Sequence, residues 1–258
     1  MNPAEYRRMF ESEDSHWWYV GLHELILRHV ADEAGRLGRR PRILDAGCGT
    51  GRLCQLMSSY GDVDGVDASQ DALDCCRERG VPATRCDLND LETEPDSYDI
   101  ITSIDVLYHR GIRDDVSVME KLRTGLRPGG MLILNLVAHE FLRSTHDVAV
   151  HTRERYTIRM LTERLERAGF ENVRITYRVS LLFPLIAAYR ILAGKFASRN
   201  VEVADVASDV SLPHPLVNGL LLTSLRLENR LLATGATLPS GSSLFAVARK
   251  PAGGRHAA

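Results

Sequence analysis

"ILDAGCGTGRL", residues 43–53, decides the fold. A short apolar run ends in Gly47, Gly49 and Gly51, so a strand passes straight into a tight turn. Glycines there tolerate positive φ and let a ligand approach the backbone closely. Such a turn can hold a dinucleotide, a nucleotide phosphate or a nucleoside. The dinucleotide fingerprint is G-x-G-x-x-G; its third glycine is replaced here by Arg52. No Gly-Lys-Ser/Thr follows, which excludes a phosphate loop. A nucleoside ligand remains.

Outward from the turn, strands and helices alternate. Strands are expected over residues 42–46, 63–67, 83–88, 98–106 and 131–137. Helices are expected over 52–60 and 69–80, the second with Ser69 as N-cap and Gly80 as stop. Asp114 or Asp115 caps a further helix whose Val118, Met119, Leu122 and Leu126 share a face, and "RPGG" (127–130) then turns into the fifth strand. This alternation predicts an α/β, Rossmann-like, doubly wound sheet with helices on both faces. Ligands of such sheets bind in the crevice at the carboxyl ends of the strands. The glycine turn sits at such an end, and Asp67, Asp87 and Asp105 each close a strand there.

Asp67 lies sixteen residues beyond Gly51. A carboxylate at that place can accept both hydroxyls of an adenosine ribose and repels a 2′-phosphate. Asp87 is followed by Leu88, a pairing suited to adenine: carboxylate to the exocyclic amine, apolar side chain over the ring. Structural roles compete with these. Asp45 could brace the turn, and Asp87 or Asp105 could cap helices.

"LDAGCGTG", Asp67, "CDLND", "YDIITSIDVLYH", "LRPGG" and "RAGF" together resemble the class I S-adenosylmethionine-dependent methyltransferases, over roughly residues 42–180 and the final strand. The resemblance implies seven strands, with an antiparallel last strand between the fifth and sixth. It implies S-adenosylmethionine as cofactor, held by Asp45, Ala46, Gly47, Cys48, Gly49, Gly51, Asp67, Ala68, Asp87, Leu88 and Asp105. The glycine turn would lie beside the methionine part, Asp67 at the ribose and Asp87 at the adenine. Methyl transfer needs alignment of three atoms above all, worth roughly 7–11 kcal/mol of barrier. A base is required only where the acceptor must lose a proton.

Tyr108 and His109, just past the fourth strand, are the first catalytic candidates, since imidazole accepts protons near neutrality. Many relatives carry Glu-His where this chain has Tyr-His. "HDVAVHTRERY" (146–156) supplies His146 and His151 as further candidate bases, with Arg153, Arg155 and Tyr156 as candidate acceptor contacts. A metal on His146, Asp147 and His151 is not expected, because their spacing matches no common motif. Trp17, Trp18 and Tyr19 precede the first strand and are expected to cover the site as an apolar lid.

The chain divides into an N-terminal helical cap (1–40), the core (41–180), an apolar helical insertion (181–240), the last strand (241–250) and a tail (251–258). The insertion is read first as a cap over an apolar acceptor and second as a homodimer contact. Peripheral membrane contact is not favoured, for want of a basic face. Net charge of −2 and the lack of an Asn/Asp-Pro-Pro-Tyr/Phe motif argue against nucleic acid as partner. Five cysteines without a C-x-x-C pair fit reduced thiols in a cytoplasmic protein, and the N-terminus lacks a signal peptide's apolar stretch. The expected function is methylation, at oxygen or carbon, of a small, partly apolar and anionic acceptor. The alternative is a nucleoside-binding protein of this fold that acts on a protein or membrane partner through the insertion without transferring methyl groups.

Overall fold

The computed structural model describes residues 3–144, 147–148, 150–188 and 212–253. Seven strands form one sheet: β1 (Arg42–Ala46), β2 (Asp62–Asp67), β3 (Ala83–Arg85), β4 (Tyr98–Ile104), β5 (Leu126–Val137), β6 (Glu171–Arg178) and β7 (Ser243–Arg249). Their order is β3-β2-β1-β4-β5-β7-β6, with β7 antiparallel to both neighbours. The expected fold class and the place of the last strand are borne out. The chain reverses direction across the sheet between β1 and β4, which opens the ligand crevice where β1 meets the glycine turn.

The helices are α1 (Pro3–Ser12), α2 (Trp17–Leu37), α3 (Arg52–Met57), α4 (Gln70–Glu78), α5 (Asp115–Gly125), α6 (Ile158–Arg167) and α7 (Pro215–Ala233). Residues 183–188 are also helical. On one face Leu22, Leu25, Ile26 and Val30 of α2 pack with Leu53 and Met57 of α3 over Ile43, Ile100 and Ile133. On the other, Val118, Met119 and Leu122 of α5 and Leu161 and Leu165 of α6 cover Leu44, Ile101 and Leu132. Alternate residues of one strand thus feed opposite cores, the period-two consequence of the pleat.

Three local readings change. β3 stops at Arg85 rather than 88 because Asp87 turns the chain: its carboxylate accepts the Asn89 amide at 2.9 Å and starts a 3-10 turn, Leu88–Asp90. "RPGG" belongs to β5, absorbed as a register shift against β4. Ser69 occupies the N-cap position of α4 without a side-chain bond to the helix.

At the sheet edge remote from the crevice, Asp99 receives Arg39 at 2.5 and 2.8 Å, Arg127 at 2.8 Å and the Arg42 amide at 2.8 Å. Burial pushes this carboxyl up, but those donors outweigh it and hold it at about 2. The ion cluster ties the end of α2 to β1, β4 and β5.

α7 lies along α2 and none of its residues lines the crevice, so it is no cap over the site. At Gly21 the helices leave no room for a side chain: a Cβ there would stand 2.7 Å from Cδ1 of Leu225. Asn229 donates to the Gly21 carbonyl at 2.8 Å, Asn218 accepts the Trp17 amide at 2.9 Å, and Arg226 pairs with Glu24 at 2.6 Å. Gly21→Val should force the helices apart and cost about 1–3 kcal/mol by overpacking, read as a lower urea midpoint. An unchanged midpoint would show that Leu225 simply moves aside.

Candidate functional site

A cavity of about 870 Å³ opens at the carboxyl ends of the strands, a volume suited to a nucleoside ligand together with a small acceptor. Its lower wall is the glycine turn. Gly47, Gly49 and Gly51 have φ of +88°, +53° and +79°, as their clustering in the sequence required. A Cβ on Gly47 would meet Val106 Cγ2 at 2.3 Å, so the backbone stands closer to the end of β4 than any side chain permits.

Asp67 faces this turn from the end of β2. One carboxylate oxygen accepts the Gly49 amide and the other the Ser69 amide, each at 2.9 Å. Each oxygen keeps a further lone pair for a ligand hydroxyl, and burial raises the carboxyl against those two bonds. Asp45 sits beneath the turn, accepting from Thr102 Oγ1 at 2.6 Å and Cys54 Sγ at 3.4 Å. Burial lifts it to about 6. Asp87 and Leu88 border the far side, where Asp87 also caps its turn. Ala68 lines the cavity, whereas Ala46 and Gly51 lie outside its surface and shape it through the backbone. Cys48, Cys54 and Cys76 pack together behind the turn as free thiols, Cys48 and Cys76 3.9 Å apart.

Trp17, Trp18 and Tyr19, from the first turn of α2, line the cavity half-buried. Tyr108 and His109 line it after β4, and His151 stands exposed at its rim. The His109 ring faces the backbone carbonyls of Val150 and Asp105, and burial holds it down to about 4. His146 lies outside the described residues.

The arginines are committed elsewhere. Arg155 reaches the wall, but its guanidinium is paired with Asp147 at 2.9 and 3.0 Å and donates to the Ala138 carbonyl. Arg153 donates to the Ile112 carbonyl and to Glu154, both at 2.6 Å, and does not line the cavity. Tyr156 is fully buried, its hydroxyl bonded to Asp115 and its ring under Arg164 at 4.9 Å. The tertiary contacts therefore remove Arg153 and Tyr156 from the cavity and leave Arg155 as a wall brace. Among the described residues no group of three or more His, Cys, Asp or Glu could hold a metal.

Residues that sequence reading passed over complete the site. α1 lies across the glycine turn, with Met9 Cε 3.0 Å from where a Gly49 Cβ would stand. Glu13, which burial lifts to about 7, bonds Thr50 beside Gly49 and pairs with Arg79 of the α4 C-terminus at 2.6 Å. Arg79 in turn covers the Phe10 ring at 4.2 Å. Only the acidic run "ESED" hinted at this latch. From the insertion, Leu185 and Ile186 reach the cavity.

A mostly parallel sheet reversed at β1 and β4, with a glycine turn after β1 and an acidic residue ending β2, defines a Rossmann-like fold. Residues 43–130 match the family model described as a methyltransferase domain, and the chain spans less than two thirds of the length of the curated relatives it matches. It is 32% identical over 144 residues to a ubiquinone biosynthesis O-methyltransferase of Aeromonas salmonicida, a match covering 50% of this chain and 59% of that one. A putative methyltransferase solved with its Trm112 activator from Haloferax volcanii superposes with a TM-score of 0.59 at 17% identity, over 98% of this chain and 96% of that one. A Haemonchus contortus phosphoethanolamine N-methyltransferase, solved with S-adenosylhomocysteine, gives 0.52 at 21% identity, over 82% and 49% of the two chains. Among the described residues no helix is long and apolar enough to cross a membrane.

Proposed function

We propose that the chain is an S-adenosylmethionine-dependent O-methyltransferase acting on a small, largely apolar acceptor. The observation that carries this is one continuous cavity, with the Gly47–Gly49 turn and Asp67 on one wall and Asp105, His109 and Trp18 on another. Gly47, Cys48 and Gly49 would hold the amino-acid part, with Asp45 fixing their turn. Asp67 would take the ribose hydroxyls, and Ala68, Asp87 and Leu88 the adenine. The fit rests on a turn that a Cβ would block and on a half-buried carboxylate with free lone pairs. When bound, the cofactor supplies a methyl group on a sulfonium.

Oxygen is preferred over carbon because the matched curated relatives are named O-methyltransferases. Apolar and aromatic residues, Trp17, Trp18, Leu142 and Ile186 among them, suit an aromatic acceptor with an apolar substituent. Since Arg153 and Arg155 are occupied within the fold, the proposed acceptor carries no anionic group for them. The chain's own residues exclude water and orient the acceptor, which is where this chemistry gains most of its rate.

The test is calorimetric titration with S-adenosylmethionine and S-adenosylhomocysteine, then transfer of labelled methyl to an alkylated catechol. Micromolar binding and label in the catechol are expected. If the native protein binds neither nucleoside, the reading fails. Nucleoside binding with no label transferred would favour the alternative, a nucleoside-binding protein that acts on a partner through the insertion.

A further inference from the structure

Two charged groups stand apart from the glycine turn and Asp67: Asp105, which the family resemblance set among the cofactor residues and which lines the cavity, and Arg178, which is buried outside its lining. Asp105 closes β4 with φ of +58°, a conformation that costs a non-glycine residue energy and that persists where surrounding contacts enforce it. Its backbone amide donates to the Asn135 carbonyl at 2.9 Å. Its two carboxylate oxygens share one Asn135 amide group at 3.1 and 3.0 Å, which fixes the carboxylate plane and leaves lone pairs open toward the cavity that Asp105 lines. Behind it, Arg178 at the end of β6 is fully buried, and among the described residues none of its three guanidinium nitrogens has a hydrogen-bond partner. Asp105 and Glu228 are the acidic groups whose charges act on it. Both oxygens of Glu228 are already used, by the Val179 and Ser180 amides at 2.7 Å. A guanidinium serving only as packing would close its hydrogen bonds, because leaving them open in a buried place is costly.

We propose that Asp105 is the base that takes the acceptor's proton, and that Arg178 is its positioning residue, acting through its field rather than by contact. This rests on the methyltransferase reading. The acceptor O–H bond breaks with its electron pair left on oxygen, and its proton passes to Asp105 and later to water. With S-adenosylmethionine bound, that oxygen would form its new bond to the methyl carbon as the carbon–sulfur bond breaks, its pair remaining on sulfur. A base works best when its pKa lies near the working pH. Burial lifts Asp105 to about 7 against Asn135, Arg178 and Tyr108, whereas His109 is held down to about 4. The other groups facing Asp105 are Tyr19 from α2 and Tyr108, both pushed up and neutral at that pH. His23 on α2, also within the field of Arg178, is held at about 4 and is neutral too.

The sign follows. Asp105 acts ionised, so its effect rises as pH passes upward through its pKa. Removing the Arg178 charge raises that pKa and moves the midpoint up.

The experiment compares sinefungin, which carries an ammonium where S-adenosylmethionine carries its methyl sulfonium, with S-adenosylhomocysteine, by calorimetry from about pH 5.5 to 8.5. The wild-type protein should prefer sinefungin by about tenfold at the upper end and lose the preference at the lower. Asp105→Asn should abolish the preference, read as the ratio of the two affinities at each pH. Arg178→Met should raise the midpoint by about one pH unit, and Arg178→Lys should restore it. A preference surviving in Asp105→Asn overturns the base, and a midpoint unmoved in Arg178→Met overturns the role of Arg178. Failure of the wild type to bind S-adenosylhomocysteine would instead overturn the methyltransferase reading, a result the other outcomes do not resemble.

Discussion

Asp67→Ala should weaken S-adenosylhomocysteine binding about 100-fold or more, with little change in the thermal midpoint. Hydrogen bonds to a charged acceptor contribute about 1.5–3 kcal/mol each, and two ribose hydroxyls would be lost together. The alanine also releases the Gly49 amide, so the turn that faces the ligand loses the bond that fixes it. Asp67→Asn keeps the shape and one acceptor oxygen and should fall between the two. Calorimetric titration of the three proteins settles it. An affinity unchanged in the alanine variant would mean that the ribose lies elsewhere.

The second large effect concerns stability. Glu228→Ala should cost about 3–5 kcal/mol, because it removes one side of a buried charge arrangement and strands two amide groups, the buried one of Val179 and the half-buried one of Ser180. For a chain of this size that corresponds to a fall in Tm of roughly 6–20 °C. Glu228→Gln retains an acceptor oxygen and should lose less. Combining Glu228→Ala with Arg178→Met should recover part of the loss, since the second change removes the uncompensated cation. Urea melts of the four proteins form the cycle. A Glu228→Ala protein as stable as wild type would show that water replaces the carboxylate there.

Much of this was legible from local chemistry. "LDAGCGTG" could only be a strand entering a turn with positive φ, and the structure places all three glycines in that region. Asp114 caps α5 as its position suggested, and β7 enters between β5 and β6 where the family resemblance put it. These features are written in contiguous residues or in fixed order along the chain.

The site was legible only in part, and the misreadings share a cause. "HTRERY" looked like a basic segment free to meet a ligand, but Asp147 and Ala138 take Arg155, and Glu154 and Ile112 take Arg153. In "NVRITYRVS" Arg178 falls on the polar side of an alternating strand, and in "SLRLENRLL" Glu228 only interrupts an apolar helix. Each becomes a buried charge once β6 and α7 come together. The latch of Glu13 with Thr50 and Arg79 likewise joins three distant segments.

The sequence by itself determined the sheet, its glycine turn and the acidic residues at the strand ends, because hydrophobic period and backbone freedom are local properties. Tertiary structure alone decided which charges face the cavity, which are paired off in its walls, and that α7 lies along α2 instead of over the site. A charge's partners and its burial depend on segments far apart in the chain, and no local pattern records them.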